Sequence, residues 1–316
     1  MTMNQPTRRR FLTITAGFTS AMAGPGLASA REDRSLYSWQ GSSLGAEASL
    51  QFAHRDEAKA RAALKACRAE LERLENVFSL YRGESQVSRL NRQGFLDAPD
   101  LDLVRLLGLS RTLWQMTGGR FDPTVQSDWK ALAEGYQAET DRVHDLSMVS
   151  VAPDRVTFAK PRMSITLNGI AQGCITDRIT ELLSRFGYTD TLVDMGEIRA
   201  SGHHPDGSDW RVGLAPDNET DKKTGRIIGN RTVRRVSLKD EALATSAPLG
   251  TLIDAEKGIG HILVPGQGWQ TLPQTQVSLT APSAALADGL STACCLMNDD
   301  QIQALIRTIP GVRRIA

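Results

Sequence analysis

The chain has 316 residues, 41% of them apolar and 23% charged, with 37 basic and 36 acidic side chains that leave a formal net charge of +1. That length and apolar share support one large soluble domain or two ordinary ones, each with ample core. The balanced charge gives no global electrostatic footprint for nucleic acid.

The N-terminus reads as a targeting segment. Thr7-Arg8-Arg9-Arg10-Phe11-Leu12 is a twin-arginine pattern, followed by a mildly apolar run, Thr13 to Ala23, and the small residues Leu27-Ala28-Ser29-Ala30. The run is too short and too rich in Gly and Thr for a membrane span, which needs roughly 20 predominantly apolar residues. Residues 1–30 are therefore predicted to be a twin-arginine signal cleaved after Ala30, and 31–316 the working domain. A bacterial periplasmic location follows, with the twin-arginine translocation machinery as a partner during export. The four cysteines, Cys67, Cys174, Cys294 and Cys295, are too few for a disulfide scaffold and show no zinc or redox spacing, so buried free thiols are expected.

Along the mature chain, Leu44 to Phe52 alternates as a first strand. Asp56 to Phe78 carries Ala60, Leu64, Cys67, Leu71, Leu74 and Phe78 on the helical period, a long amphipathic helix. Ser85 is placed to cap a short helix, and a further helix over Asp100 to Thr117 stops at Gly118-Gly119. In Arg120-Phe121-Asp122-Pro123-Thr124-Val125, Asp122 can fix a loop through the nearby backbone or contact a ligand. Short strands are predicted at 149–151, 156–158 and 163–167. Asn168-Gly169-Ile170-Ala171-Gln172-Gly173 then launches a helix from Cys174 to Phe186, whose N-terminus favours anions. Strands follow at 192–199 and 210–214, around a polar turn holding His203-His204, which reads as solvated surface or as metal ligands. A charged insertion spans 216–235. Strand signals return at 233–238, 242–245, 260–265 and 276–281, with His261 a lone core or edge histidine on its own evidence.

The last of these feeds Ala281 to Asn298, A-P-S-A-A-L-A-D-G-L-S-T-A-C-C-L-M-N. A helix there stacks Asp288, Ser291 and Thr292 on one face. Three hard oxygens so grouped suit Mg²⁺, though on this segment alone an ordinary core helix that satisfies nearby backbone groups is the stronger reading. The sum is an α+β fold, one mixed domain with helices inserted early in the chain and no internal repeat.

Several segments together resemble the ApbE-like flavin transferases. They are S-x-Y-R at Ser79 to Arg82, G-G-x-F-D-P-T-V at Gly118 to Val125, G-I-A-x-G at Gly169 to Gly173 and G-E-I-R-A-S-G at Gly196 to Gly202. W-R-V-G at Trp210 to Gly213, A-L-A-T-S at Ala242 to Ser246, H-I-L-x-P at His261 to Pro265 and A-D-x-L-S-T-A at Ala287 to Ala293 complete the series. Their order and spacing run over nearly the whole mature chain. The resemblance implies a T-fold-like domain and an FAD:protein FMN transferase. In that reaction Mg²⁺ sits at the FAD pyrophosphate, an acceptor Ser or Thr hydroxyl attacks the FMN phosphorus, and AMP leaves. It further implies Asp288, Ser291, Thr292 and the Gly169 carbonyl as metal ligands, and Tyr81 beside the flavin ring with Leu44 bordering it. Arg120, Phe121, Asp122, Thr166, Gln172 and Ile262 would lie along FAD, and His261 near the scissile phosphate. The export signal resembles that of the periplasmic branch serving nitrous oxide reductase maturation, whose acceptor is a membrane-bound redox protein. The chain departs from the family pattern at Gln172, where many members carry Lys or Glu, at Val264 and Gly266-Gln267-Gly268, and at Ser246-Ala247-Pro248-Leu249. A non-catalytic FAD-binding protein and an FAD pyrophosphatase yielding FMN and AMP are the alternative readings.

Overall fold

A computed structural model describes residues 35–133, 145–214, 219–220, 227–228, 234–254 and 258–315. The predicted signal, residues 1–30, and most of the charged insertion over 216–235 lie outside the described residues.

Alternation in the sequence builds the first layer. Strand β2 (Ala46–His54) buries Ala46, Ala48, Leu50 and Phe52, one residue in two, and pairs antiparallel with β1 (Ser35–Ser43) through a tight turn at Leu44-Gly45. Helix α1 (Glu57–Phe78) follows, capped by the Asp56 carboxylate on the Lys59 N–H and burying Ala60, Ala63, Cys67, Leu71, Leu74 and Phe78. Ser85 caps α2 (Gln86–Gln93), and after β3 (Phe95–Asp97) Asp100 caps α3 (Leu101–Met116). A 3₁₀ turn at Pro123–Val125 leads into α4 (Gln126–Ala133). Strands β4 (Val149–Val151) and β5 (Arg155–Phe158) join β3 in a small sheet. Helix α5 (Ala171–Arg185) precedes β6 (Thr191–Asp194), β7 (Ile198–Ser201) and β8 (Trp210–Leu214). The short pair β9 (Glu219–Thr220) and β10 (Ile227–Ile228) comes next, then β11 (Arg234–Leu238), β12 (Glu241–Ser246), β13 (Leu252–Asp254) and β14 (Ile259–Gly260). The chain closes with β15 (Val277–Ala281), α6 (Ala284–Cys294), α7 (Asp299–Arg307) and β16 (Arg313–Ile315).

The main sheet has seven strands in the order β1-β2-β6-β7-β12-β15-β16, every neighbour antiparallel. Spatial order follows chain order, so the sheet is a meander whose connections have been lengthened by helices. Helices α1, α5 and α6 pack on one face over the larger core. On the other face the β8–β11 ribbon closes a smaller core around Trp210, Ile198, Ala200 and Leu243, and the Trp210 indole donates to the Ser201 carbonyl. All four cysteines are free thiols, and burial pushes Cys67, Cys174 and Cys294 up to about 12.

Three strand expectations change. Residues 163–167 are extended but unpaired by any strand, because the Ile165 N–H and carbonyl go to the Asn91 side chain and the Thr166 N–H to Pro123. The predicted strand at 192–199 is two strands folded back on each other, broken where Gly196 takes a φ of 105°. At 260–265 only Gly260 belongs to a strand, with a single bridge joining Val264 to Gly268.

Candidate active site

The candidate site forms where α5 and α6 pack against one another. The crossing is close because the first turn of α5 carries a glycine: a Cβ on Gly173 would stand 2.3 Å from the Ala284 carbonyl oxygen. The two helices also cap one another. Ile170 gives α5 no side-chain cap, and the Gly173 N–H donates instead to Asp288 Oδ2 of α6 at 3.1 Å. In return Asp177 of α5 accepts the Ala284 and Ala285 N–H groups, both at 2.9 Å, while Ser283 takes Leu286. Each helix N-terminus is thus met by a carboxylate from its neighbour.

Above this crossing opens a cleft of about 500 Å³. Its floor presents Gly169, Gln172, Glu197, Asp288 and Thr292; one wall carries Tyr81, Arg120, Phe121, Asp122 and Thr166, and the opposite lip His261 and Ile262. The fold therefore collects into one cavity all of the site residues that the family resemblance implied except Leu44 and Ser291. Leu44 is a buried turn residue of the larger core, its N–H donating to Glu75 Oε1 at 2.8 Å. Ser291 is fully buried behind the cleft wall, donating to the Asp288 carbonyl at 3.0 Å and meeting Ser246 Oγ at 2.7 Å. On a helix, residues three apart share a face only loosely, and here the i+4 partner, Thr292, reaches the cavity instead. His203 and His204 lie elsewhere, each beside an aspartate of their own turn.

Asp122 fixes its loop and also borders the cleft. Its Oδ1 accepts from the Thr124 N–H at 2.8 Å and the Thr124 hydroxyl at 2.6 Å, capping the 3₁₀ turn, and the residue lines the cleft. Tyr81 stands 65% exposed at the rim. On the opposite lip His261 Nδ1 lies 3.2 Å from the Thr251 carbonyl, which can only accept, so Nδ1 carries the proton and Nε2 is the basic nitrogen.

The floor is electrostatically unbalanced. Asp288 and Glu197 are both buried, and burial raises both carboxyls above their usual range. For Glu197 the Asp288 and Asp194 charges add to the effect while the Thr245 N–H opposes it; for Asp288 the Gly173 N–H opposes it. Neither has an Arg or Lys partner among the described residues. Glu197 escaped the sequence reading because it sits within what looks like an unbroken strand; the Gly before it was the available signal. A buried acidic floor with no cationic side chain fits a divalent cation. Among the described residues no three His, Cys, Asp or Glu side chains converge, so hydroxyl and carbonyl oxygens would have to complete the set. Thr292 supplies one, and Gly169 is packed against it so closely that a Cβ there would come 2.9 Å from Thr292 Oγ1. One or two carboxylates with neutral oxygens, waters and ligand phosphates is the coordination Mg²⁺ accepts.

Comparison with known proteins places this architecture. Residues 44–315 match the ApbE family, and the chain belongs to it. It is 27% identical to the FAD:protein FMN transferase of Treponema pallidum, with 83% of this chain and 78% of that protein aligned. The Haemophilus influenzae FAD:protein FMN transferase is 22% identical over 91% of this chain and 88% of its own length. Among solved structures, the flavin transferase ApbE from Vibrio cholerae superposes with a TM-score of 0.73 at 21% identity, covering 90% of this chain and 94% of that one. The apo flavinyl transferase ApbE of Pseudomonas stutzeri gives 0.73 at 24% identity, covering 87% and 88%.

Proposed function

We propose that this chain is an FAD:protein FMN transferase that moves FMN from FAD to a Ser or Thr hydroxyl of a protein acceptor and releases AMP. The observation that carries the reading is the single cleft with an acidic, uncompensated floor, an aromatic rim at Tyr81 and a basic imidazole nitrogen on the facing lip. The name shared by the relatives from Treponema pallidum and Haemophilus influenzae supports it.

FAD is the substrate, its isoalloxazine meeting Tyr81 and its length running past Arg120, Phe121, Asp122, Thr166, Gln172 and Ile262. Asp288, Thr292 and the Gly169 carbonyl would hold Mg²⁺, which when bound neutralises charge on the pyrophosphate. His261 Nε2 accepts the acceptor hydroxyl proton as that oxygen bonds to the FMN phosphorus and the bond to the AMP oxygen breaks. The protein's share is positioning and charge placement, as expected for phosphoryl transfer. We place the enzyme in the periplasm, exported through residues 1–30, with a membrane-associated redox protein as acceptor, in keeping with the twin-arginine pattern. Nitrous oxide reductase maturation is the setting that pattern favours.

The test is incubation of the purified protein with FAD, Mg²⁺ and a candidate acceptor, followed by in-gel flavin fluorescence and nucleotide chromatography. A fluorescent acceptor band with one AMP per flavin is the expected result. Free FMN with AMP and an unlabelled acceptor would instead identify a pyrophosphatase, and FAD retained intact a binding protein.

A further inference from the structure

We infer that Asp177, held by Arg199, is a positioning residue for the cation site: it sets the register of α6 and so places Asp288 and Thr292 at the cleft floor. The inference rests on the reading of that floor as a divalent-cation site. Asp177 itself does not line the cleft. It lies one helical turn beyond Gly173 on α5, where each of its carboxylate oxygens takes one N–H of the first turn of α6, both at 2.9 Å. Arg199, from β7, donates to Asp177 Oδ1, so the carboxylate is fixed from the sheet side as well.

Two bonds to consecutive N–H groups specify rotation as well as position. A slip of α6 by one residue would turn it by about 100° and shift it about 1.5 Å, breaking both bonds and carrying Asp288 off the floor. Asp288 lies one turn beyond Ala284 and Thr292 two turns, so both inherit the register set at Ala284 and Ala285. The reverse contact, Gly173 N–H to Asp288, is a single bond made by the group that the cation also needs. Asp177 fixes the helix from outside the cleft, although its charge also reaches the floor and helps to raise the Asp288 carboxyl. Groups one step removed from a metal commonly cost 10–100-fold in affinity when lost.

Mn²⁺ titration of the full chain, followed by the loss of the free-ion electron paramagnetic resonance signal, tests this directly. Asp177→Asn keeps the shape and one acceptor oxygen but loses the second acceptance and the charge facing Arg199. We expect Mn²⁺ to bind it about tenfold more weakly, with the transfer rate returning towards that of the unaltered enzyme as metal is raised. A helix cap of purely structural importance would lower the melting temperature without moving the metal constant, so unchanged Mn²⁺ affinity in folded Asp177→Asn overturns the inference. Should that variant fail to fold, Arg199→Met decides: it leaves both backbone bonds in place, and about threefold weaker Mn²⁺ binding is expected. Equal affinity there overturns it. Asp288→Ala separates this inference from the reading beneath it, since saturable Mn²⁺ binding that survives Asp288→Ala removes the floor as the cation site and both claims with it.

Discussion

The two sides of the cleft are built on different physical terms. The floor stands on two crossed helices, with Asp288 3% exposed, and each N-terminus is closed by the other helix's carboxylate. The lip around His261 is a run of turns held by backbone bonds to Pro248 and Thr251 and by the lone Val264–Gly268 bridge, with Leu249 52% exposed beside it. The floor is therefore held by burial and by bonds between two helices, while the lip is held by turns and by the Gly266 N–H to Asp128. In a transferase the constant part of the reaction, the nucleotide and its charge, belongs on the rigid side and the acceptor on the adaptable one.

Substitutions can break that contrast. The largest effect is expected from Asp288→Ala, which removes one of the two floor carboxylates and the one proposed to hold the cation. Transfer measured by in-gel flavin fluorescence should fall about 1000-fold and should not recover at high Mg²⁺. Next comes His261→Ala on the lip, with kcat about 100-fold lower and FAD affinity retained. A floor residue that unfolded on substitution and a lip residue that did not would sharpen the comparison; the reverse would dissolve it.

The smallest expected effect concerns Asp194 at the end of β6, whose carboxyl is pushed up to about 6 by burial, with the Gly196 N–H opposing and Glu47 adding. A raised acid binds its proton more tightly folded than unfolded. Stability from this group is therefore full below about pH 4 and is lost as pH rises through about 6. In urea titrations Asp194→Asn should gain on the unaltered protein by on the order of 2 kcal/mol between pH 4 and pH 7. Curves that stay parallel over that range would remove the buried acid from the account.

Local signals carried much of the fold into the sequence. The helical period and the caps at Asp56, Ser85 and Asp100 act within a few residues, so α1, α2 and α3 were legible almost to their ends. Strand β1 was not, because S-L-Y-S-W-Q-G-S-S buries little and owes its conformation to the pairing with β2. Helix α4 and the short helix α7 also went unread, as did the Gly196 reversal between β6 and β7. At the site, the residues set in motifs were legible and the ones set by long-range contact were not. Asp177 looks like any polar helix residue until α6, more than a hundred positions later, brings its N–H groups to it. Ser291 is the opposite case, a residue type suited to the site that the helix buries against the Asp288 carbonyl.

The four free thiols, three of them buried and Cys174 half-buried, carry a consequence for handling. Each is held as a poorly nucleophilic neutral sulfhydryl, and Cys295 spends its hydrogen on the Ser246 carbonyl at 3.6 Å. No covalent step stands between this chain and its native state. Its refolding yield should be highest when the thiols are kept reduced, since the native state holds all four as free sulfhydryls that an unfolded chain would expose to oxidation.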